Sequence, residues 1–383
     1  MSKKPVGYGR RHFAYNGLTI RVYSADRSHL AWLEEFLRPQ FQVLDDGPYE
    51  CTLSLTADDQ LFREVFRRGA RPDGRRVDCF ALDSSLVRLP LWQSLGPDQI
   101  IFDPQFRVFY IIRPDCAEAE MLTLANNLAA RISLMRVTRE FAMNHSHRAG
   151  CLIIHGSAFV VGERGVIIAG PKRAGKTTLL IHELRTGAAA YVSNDRVVVS
   201  FGRTAPVLRG MPTVATVRKQ TLEMFPDLLH RLLERSYRSR LSLAEIREAQ
   251  LRPVQPNQDG HYYLSPAQFC DLLQVASVAQ AQAEALVFPQ VTGRSGTIEL
   301  ERLSSEAAAV RLTDCLFSSH SMQKVSAVFA LSGNGAIPDR AILEALCLRL
   351  TSQVRCFECR LGKEAYQDED SAARLIGELL GHC

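Results

Sequence analysis

Apolar and polar residues alternate along LTIRVYS (18 to 24), where Leu18, Ile20 and Val22 share a face, and along CTLSLTA (51 to 57), where Cys51, Leu53 and Leu55 do the same. A period of two predicts strands with one buried face. IIFDPQFRVFYII (100 to 112) is two apolar runs around Asp103-Pro104-Gln105, which predicts a hairpin. From Ala117 to about Met143 the period lengthens: Met121, Leu124, Leu128, Ile132 and Met135 stand at spacings of 3, 4, 4 and 3, the stripe of a helix. HSHRAG follows as a polar break, and CLIIH, AFVV and GVIIAG then predict three strands of one buried sheet. Beyond them, 218–250 is helical and charged, QLRPVQPNQDGHYY is a loop, and EALVFPQV (284 to 291) is a strand that Pro289 assigns to an edge or a bulge. The remainder predicts a helix over 339–350, a strand over 352–361 and a last helix over 368–381. The resulting organisation is a smaller α+β domain over 1–115, a linking helix over 116–150, and an α/β domain over 151–383 that ends in an α/β extension.

Composition narrows the class. The 383 residues are 46% apolar and 23% charged, ordinary for a globular chain and enough for two or three cores. No apolar run reaches the eighteen or so residues that span a bilayer, and MSKKPVGYGRRHF lacks the apolar stretch of a secretory leader, so the expectation is a cytoplasmic protein with no membrane partner. Ten cysteines lie mostly inside apolar runs and are expected to be reduced; Cys356 and Cys359 in VRCFECRLG have no second CxxC or His cluster and are expected to pack in a strand. A formal charge of +5 falls short of a dedicated nucleic-acid binder. Charge concentrates instead in FRRGARPDGRR (Arg67, Arg68, Arg71, Arg75, Arg76) and in LLERSYRSRLS (Arg235, Arg238, Arg240), either as solvated loops or as docking points for an acidic or phosphorylated partner.

The chemistry sits in GVIIAGPKRAGKTTLL (165 to 180), which fits G-x-x-x-x-G-K-[ST]. A strand ends at Gly170, a loop follows through Pro171, Lys172, Arg173 and Ala174, and Gly175, Lys176, Thr177 and Thr178 open a helix. Glycines allow the loop amides to turn inward, the helix N-terminus adds positive potential, Lys176 suits the β- and γ-phosphates, and the Thr177 hydroxyl suits Mg²⁺. Lys172 and Arg173 are additional cations, either neutralising phosphate or pointing to solvent. The chain has neither an Asn-Lys-x-Asp guanine reader nor an aliphatic strand ending in Asp-Glu, which argues against a GTPase switch and a motor or transporter ATPase; LSGNG (331 to 335) is expected to be a turn. Two nearby groups complete the candidate set. His155 in HGS precedes the loop, and YVSNDRVVV carries Asn194 and Asp195 at the end of a strand that should return beside it after a helix ending near Arg185 and Gly187. Asp195 there suits a metal ligand or a proton acceptor, or is a turn former.

Together these pieces resemble the catalytic domain of HPr kinase/phosphorylase and its relatives, over about 151–201: a strand ending in His-Gly, a short hairpin, a Gly-rich loop ending Gly-Lys-Ser/Thr, a helix, a Gly, and a strand with an acidic pair before Arg-Val. The resemblance implies a P-loop kinase fold akin to the nucleotide part of phosphoenolpyruvate carboxykinase, with ATP and Mg²⁺ as cofactors. It implies His155 as the active-site histidine, Gly170 to Thr178 as the nucleotide loop, Thr177 and Asp195 as metal ligands, and a protein, peptide or small-molecule hydroxyl as acceptor; it also makes a homo-oligomer an expectation. The family's first acid is Asn194 here, and an amide takes no proton. Either Asp195 serves twice, or His155 is the base, or the chain is a nucleotide-gated binding module or slow NTPase without an acceptor.

Overall fold

The computed structural model describes residues 7–68, 76–82, 85–92, 99–113, 117–234, 260–292, 296, 298–317, 328–329, 338–366 and 369–381. Arg71, Arg75, Arg235, Arg238, Arg240 and LSGNG lie outside these residues. The chain is mixed α/β with large mixed sheets, in two compact units: Met1–Ala149 with Gln323–Ile337, and Gly150–Met322 with Pro338–Cys383. No helix among the described residues is long and apolar enough to cross a membrane.

The first unit opens with β1 (Gly9–Tyr15), β2 (Leu18–Ser24), β3 (Gln42–Leu44) and β4 (Cys51–Ala57), of which β2 and β4 are the predicted strands, and with helices α1 (Arg27–Leu37) and α2 (Asp59–Arg68). Then come β5 (Arg76–Leu82), β6 (Ser85–Trp92), the hairpin β7 (Gln99–Asp103) and β8 (Val108–Arg113), β9 (Glu118–Thr123) and α3 (Ala130–Arg148). The nine strands make one sheet in the order β3-β1-β2-β4-β9-β8-β7-β6-β5, with β2, β4 and β9 parallel.

The expected linking helix over 116–150 is not what forms. Glu118–Thr123 is a strand paired on both flanks, by β4 and by β8. Asn126 in the left-handed region and Asn127, whose amide donates to the Phe106 carbonyl and the Thr123 hydroxyl, make a turn before α3 starts. Asparagine side chains satisfy turns at the expense of helices, so the helical stripe is cut at its middle. At the other end α3 runs through HSHR, where His145, His147 and Arg148 suit the negative pole of a helix C-terminus.

The second unit begins with β10 (Leu152–Val161) and β11 (Arg164–Ala169), followed by α4 (Lys176–Arg185), β12 (Ala190–Ser193), β13 (Arg196–Phe201), β14 (Pro206–Gly210) and β15 (Ala215–Arg218). CLIIH and AFVV are thus one strand, because Gly156 and Ser157 continue the ladder instead of breaking it. Helices α5 (Lys219–Glu223) and α6 (Pro226–Glu234) precede β16 (His261–Leu264), α7 (Pro266–Leu273), β17 (Gln280–Val291), β18 (Ile298–Arg302), α8 (Ser305–Thr313), α9 (Arg340–Gln353), β19 (Arg355–Leu361) and α10 (Glu369–Leu380).

β17 pairs first with β14 and then, parallel, with β11, so β11, β10, β13, β14 and β17 close into a ring of pairings; β19 and β18 extend from the other flank of β17. β17 is an interior strand, but on its β11 flank Pro289 stands at a locally open edge. It lies beyond the last β11 pair, Ile168 with Val287, so a residue without an N–H is accommodated there. Alternation along β11 sends Val166 and Ile168 into an apolar layer with α4, α6, α7 and α10, and Ile167 and Ala169 into a second layer with α8 and α9. Cys359 and Cys356 fall in these two separate layers, as buried free thiols.

One polar group intrudes on the first layer. Glu183 of α4 is fully buried and neither carboxylate oxygen has a hydrogen-bond partner; His182 Nε2, at 3.9 Å, faces the Ser371 hydroxyl at 2.9 Å instead. Burial holds the Glu183 carboxyl well above its ordinary value of 4.5. Because the folded-state value is raised, the neutral group's contribution is intact below the unfolded value and stability falls as pH rises toward the folded one, by about 1.4 kcal/mol per pH unit. Glu183→Met removes this linkage. Urea melts at pH 5, 6.5 and 8 should show the variant gaining on wild type with each step in pH; parallel curves would show that the carboxyl is solvated.

Candidate functional site

The hairpin of β10 and β11 positions the site. Gly156 pairs with Ala169, the last residue of β11, so His155 stands beside the point where the chain leaves the sheet for the loop 170–175. Only glycine fits at 156: a Cβ there would lie 2.6 Å from the Ile168 carbonyl oxygen. On its other flank β10 meets two collinear strands, β12 against Ala158–Val160 and β13 against Leu152–His155. Asn194 and Asp195 are the interruption between them. The Gly156 N–H donates to the Asp195 carbonyl at 3.0 Å, and the Ser157 hydroxyl donates to the Asn194 carbonyl at 2.8 Å.

This fixed interruption places the Asp195 carboxylate between two bases: His155 Nε2 lies 3.4 Å from Oδ1 and Arg196 Nε lies 3.2 Å from Oδ2. Beyond the end of β11, residues 315–317 continue its flank of β10, with the His155 N–H donating to the Cys315 carbonyl at 2.6 Å and the Phe317 N–H to the Ile153 carbonyl at 2.8 Å. Phe317 then closes the group. Its ring stacks under the Arg196 guanidinium at 4.7 Å and edge-on to the His155 ring at 5.7 Å.

The loop is built as its motif demands. Gly175, the residue before α4, takes φ 102°, and a Cβ on it would lie 2.6 Å from Val291 Cγ2. Gly175 offers α4 no side-chain cap and the first turn holds no acid, which leaves the positive helix pole facing the loop. Ala174 N–H donates to the Pro171 carbonyl in a tight turn, and Arg173 adopts φ 72°, a left-handed conformation that costs a non-glycine residue about 1 kcal/mol. Lys172 and Arg173 are exposed, Thr177 is half-buried and Thr178 is buried. Lys176 is buried, and its ammonium donates to the carbonyls of Gly170 at 2.7 Å and Pro171 at 3.0 Å. Burial lowers its pKa, while the negative charge of Asp195 acts in the other direction. The Cys315 thiol, pushed up to about 11 by burial, is also within electrostatic reach of Lys176.

His155, Asp195 and Lys176 thus converge, and Gly170 to Thr178 form one loop and helix start. Asn194 is different. Its amide is buried, accepting from the Tyr191 hydroxyl at 2.6 Å and from the Thr213 hydroxyl at 3.4 Å, and donating to the Val214 carbonyl at 3.4 Å. It braces the strand interruption rather than joining the His155 group. Arg196, Phe317 and Cys315 are the residues that sequence reasoning missed; Arg196 adjoins an acid in S-N-D-R, whereas the other two come from the far end of α8 and give no local signal.

Among the described residues no group of three or more His, Cys, Asp or Glu side chains is arranged around a metal position. A Mg²⁺ ion held with a nucleotide needs only one or two carboxylates, its other ligands being water and phosphate oxygens; the Thr177 hydroxyl and the 36%-exposed Asp195 carboxylate fit that smaller requirement. No family model and no curated protein matches this chain.

The bonding of Asn194 sets a prediction. Asn194→Asp would set a carboxylate oxygen against the Val214 carbonyl and bury a charge, so it should destabilise the protein by about 1–3 kcal/mol at pH 7 and less at pH 4, where the acid is neutral. Chemical denaturation at the two pH values measures this. An unchanged midpoint at pH 7 would show that the amide is not a brace.

Proposed function

We propose that this chain is an ATP-dependent, Mg²⁺-requiring phosphotransferase of the HPr-kinase-related type, with a P-loop kinase fold over its second unit, that moves the γ-phosphoryl group to a hydroxyl of a protein, peptide or small-molecule acceptor. The observation that carries this reading is the convergence of a glycine-built loop, its buried lysine and a His155–Asp195 pair held at one strand interruption. Phosphoryl transfer asks mainly for positioning and charge stabilisation, and these are what such an arrangement offers.

In this reading the loop amides and the α4 N-terminus hold the phosphates, and Lys176 exchanges its two carbonyl partners for β- and γ-phosphate oxygens. Thr177 and Asp195 hold Mg²⁺, which draws charge off the phosphates when bound. The acceptor oxygen forms its bond to γ-phosphorus as the bond to the β-phosphate oxygen breaks, and ADP leaves. His155 orients the acceptor hydroxyl or takes its proton, with Asp195 fixing the imidazole and Arg196 and Phe317 fixing Asp195. The side chain of Asn194 is spent on structure, so the proton falls to Asp195 or His155.

A second reading, a nucleotide-gated binder or slow NTPase without an acceptor, is favoured by one observation: both oxygens of Asp195 are already engaged, Oδ1 by His155 Nε2 and Oδ2 by the Arg196 guanidinium. Eight buried free thiols among the described residues, and ATP as donor, support a reducing cytoplasmic setting.

The test is incubation of the full chain with Mg²⁺ and γ-labelled ATP in extract of its own cell, beside Lys176→Met. Transfer of label to an acceptor should fall by about 10² to 10³ in the variant while its circular dichroism spectrum stays native. Equal labelling by both proteins would end the kinase reading, and label released only as free phosphate would favour the second.

A further inference from the structure

A cavity of about 210 Å³ is lined wholly by residues of the first unit and by none of the candidate site residues. It sits where the parallel strands β2, β4 and β9 begin, against the C-terminal turns of α3. Leu18, Cys51, Phe141 and Phe329 line it with buried apolar surface, and Glu50, His145 and Arg148 stand around it.

Its chemistry is specific. The Cys51 thiol is pushed up to about 12, first by burial and then by the Glu50 charge, so it forms a neutral, unreactive floor. His145 is lowered, first by burial and then by Arg148, and is therefore neutral at pH 7; it hydrogen-bonds the Asn16 backbone. Two formal charges remain. Glu50 and Arg148 both act electrostatically on Cys51 and on His145, so one anion and one cation share a single mouth. The Glu50 carboxylate is anchored there by the Thr19 N–H at 2.5 Å.

Volume sets the size of an occupant. A closed apolar cavity of about 150 Å³ accepts benzene, and drug-sized ligands take about 300 Å³ or more, so this chamber suits a side chain of roughly four to seven carbon atoms. A simple anion would meet Glu50, and a simple cation would meet Arg148. A molecule carrying both signs beside an apolar body satisfies all three features.

We propose that this cavity is a binding site for a free α-amino acid with a branched aliphatic or phenyl side chain, its ammonium at Glu50, its carboxylate at Arg148 and its side chain among Leu18, Phe141 and Phe329. The site is independent of the nucleotide loop.

Calorimetric titration of the full chain tests this with L-leucine, L-phenylalanine, glycine, L-tryptophan, 3-methylbutylamine and 4-methylpentanoate. Leucine should bind saturably, at least tenfold tighter than glycine, which lacks the buried side chain. Leucine should also bind at least tenfold tighter than the amine or the acid, and tryptophan should not enter. Glu50→Gln and Arg148→Gln, both exposed positions, should each weaken leucine at least tenfold, whereas Lys176→Met should leave it unchanged. No saturable binding of leucine or phenylalanine overturns the site. Binding that survives both charge variants, or a half-molecule binding as tightly as leucine, overturns the zwitterion assignment.

Discussion

The near-contact at Gly156 governs the arrangement of the second unit. Two antiparallel strands approach so closely there that a methyl group would strike the Ile168 carbonyl. The same glycine's N–H holds the Asp195 carbonyl on the opposite flank. One residue with no side chain therefore fixes the spacing of β11 from β10 and the location of the β12–β13 interruption. The loop departs from the first and the carboxylate stands on the second, so their separation is set by backbone geometry rather than by flexible side chains. Sites framed in this way lose little entropy when a ligand arrives.

Around that frame the charges are graded by exposure. Lys176 is buried and bonded to its own loop, Asp195 is partly solvated between two bases, and Lys172 and Arg173 reach into solvent. Phe317 gives Arg196 an aromatic face as well as a carboxylate, which restrains a long side chain at two points. Asn194 shows the opposite use of a polar group. Its amide is consumed by Tyr191, Thr213 and Val214, so the position that invites a chemical reading from sequence is a structural brace.

Local patterns were legible where one period ruled. The strand, loop and helix over 165–185, the helix end at Gly187 and the strand after it could be read because apolar runs and glycines agree there. Residues 117–143 could not, because MLTL satisfies a strand and a helix alike, and the deciding fact is that Glu118–Thr123 finds partners in β4 and β8, distant in sequence. Gly156-Ser157 looks like a break and is a continuous strand for the same reason: its neighbours supply the ladder. Pro289 reads correctly only in a local sense: β17 is an interior strand, and its missing N–H falls where the β11 ladder has already ended. Of the candidate site, His155, Lys176 and Asp195 were visible as residue types near a loop. Arg196, Phe317 and Cys315 depended on the return of 315–317 to β10, which no local pattern encodes.

The ring of pairings has a consequence for how the chain is made. β10, β11, α4, β12 and β13 are contiguous in sequence, but the strand that closes β11 is β17, which begins at Gln280, more than a hundred residues after β11 ends. Long-range parallel pairing is slow to form because the intervening chain must first be ordered. A growing polypeptide emerging from the ribosome therefore carries the whole loop region with an open β11 edge until residues 280–287 follow. An open edge rich in aliphatic residues is a template for wrong partners. The interval between synthesis of GVIIA and of EALVF is thus the period in which a nascent chain is most open to mispairing.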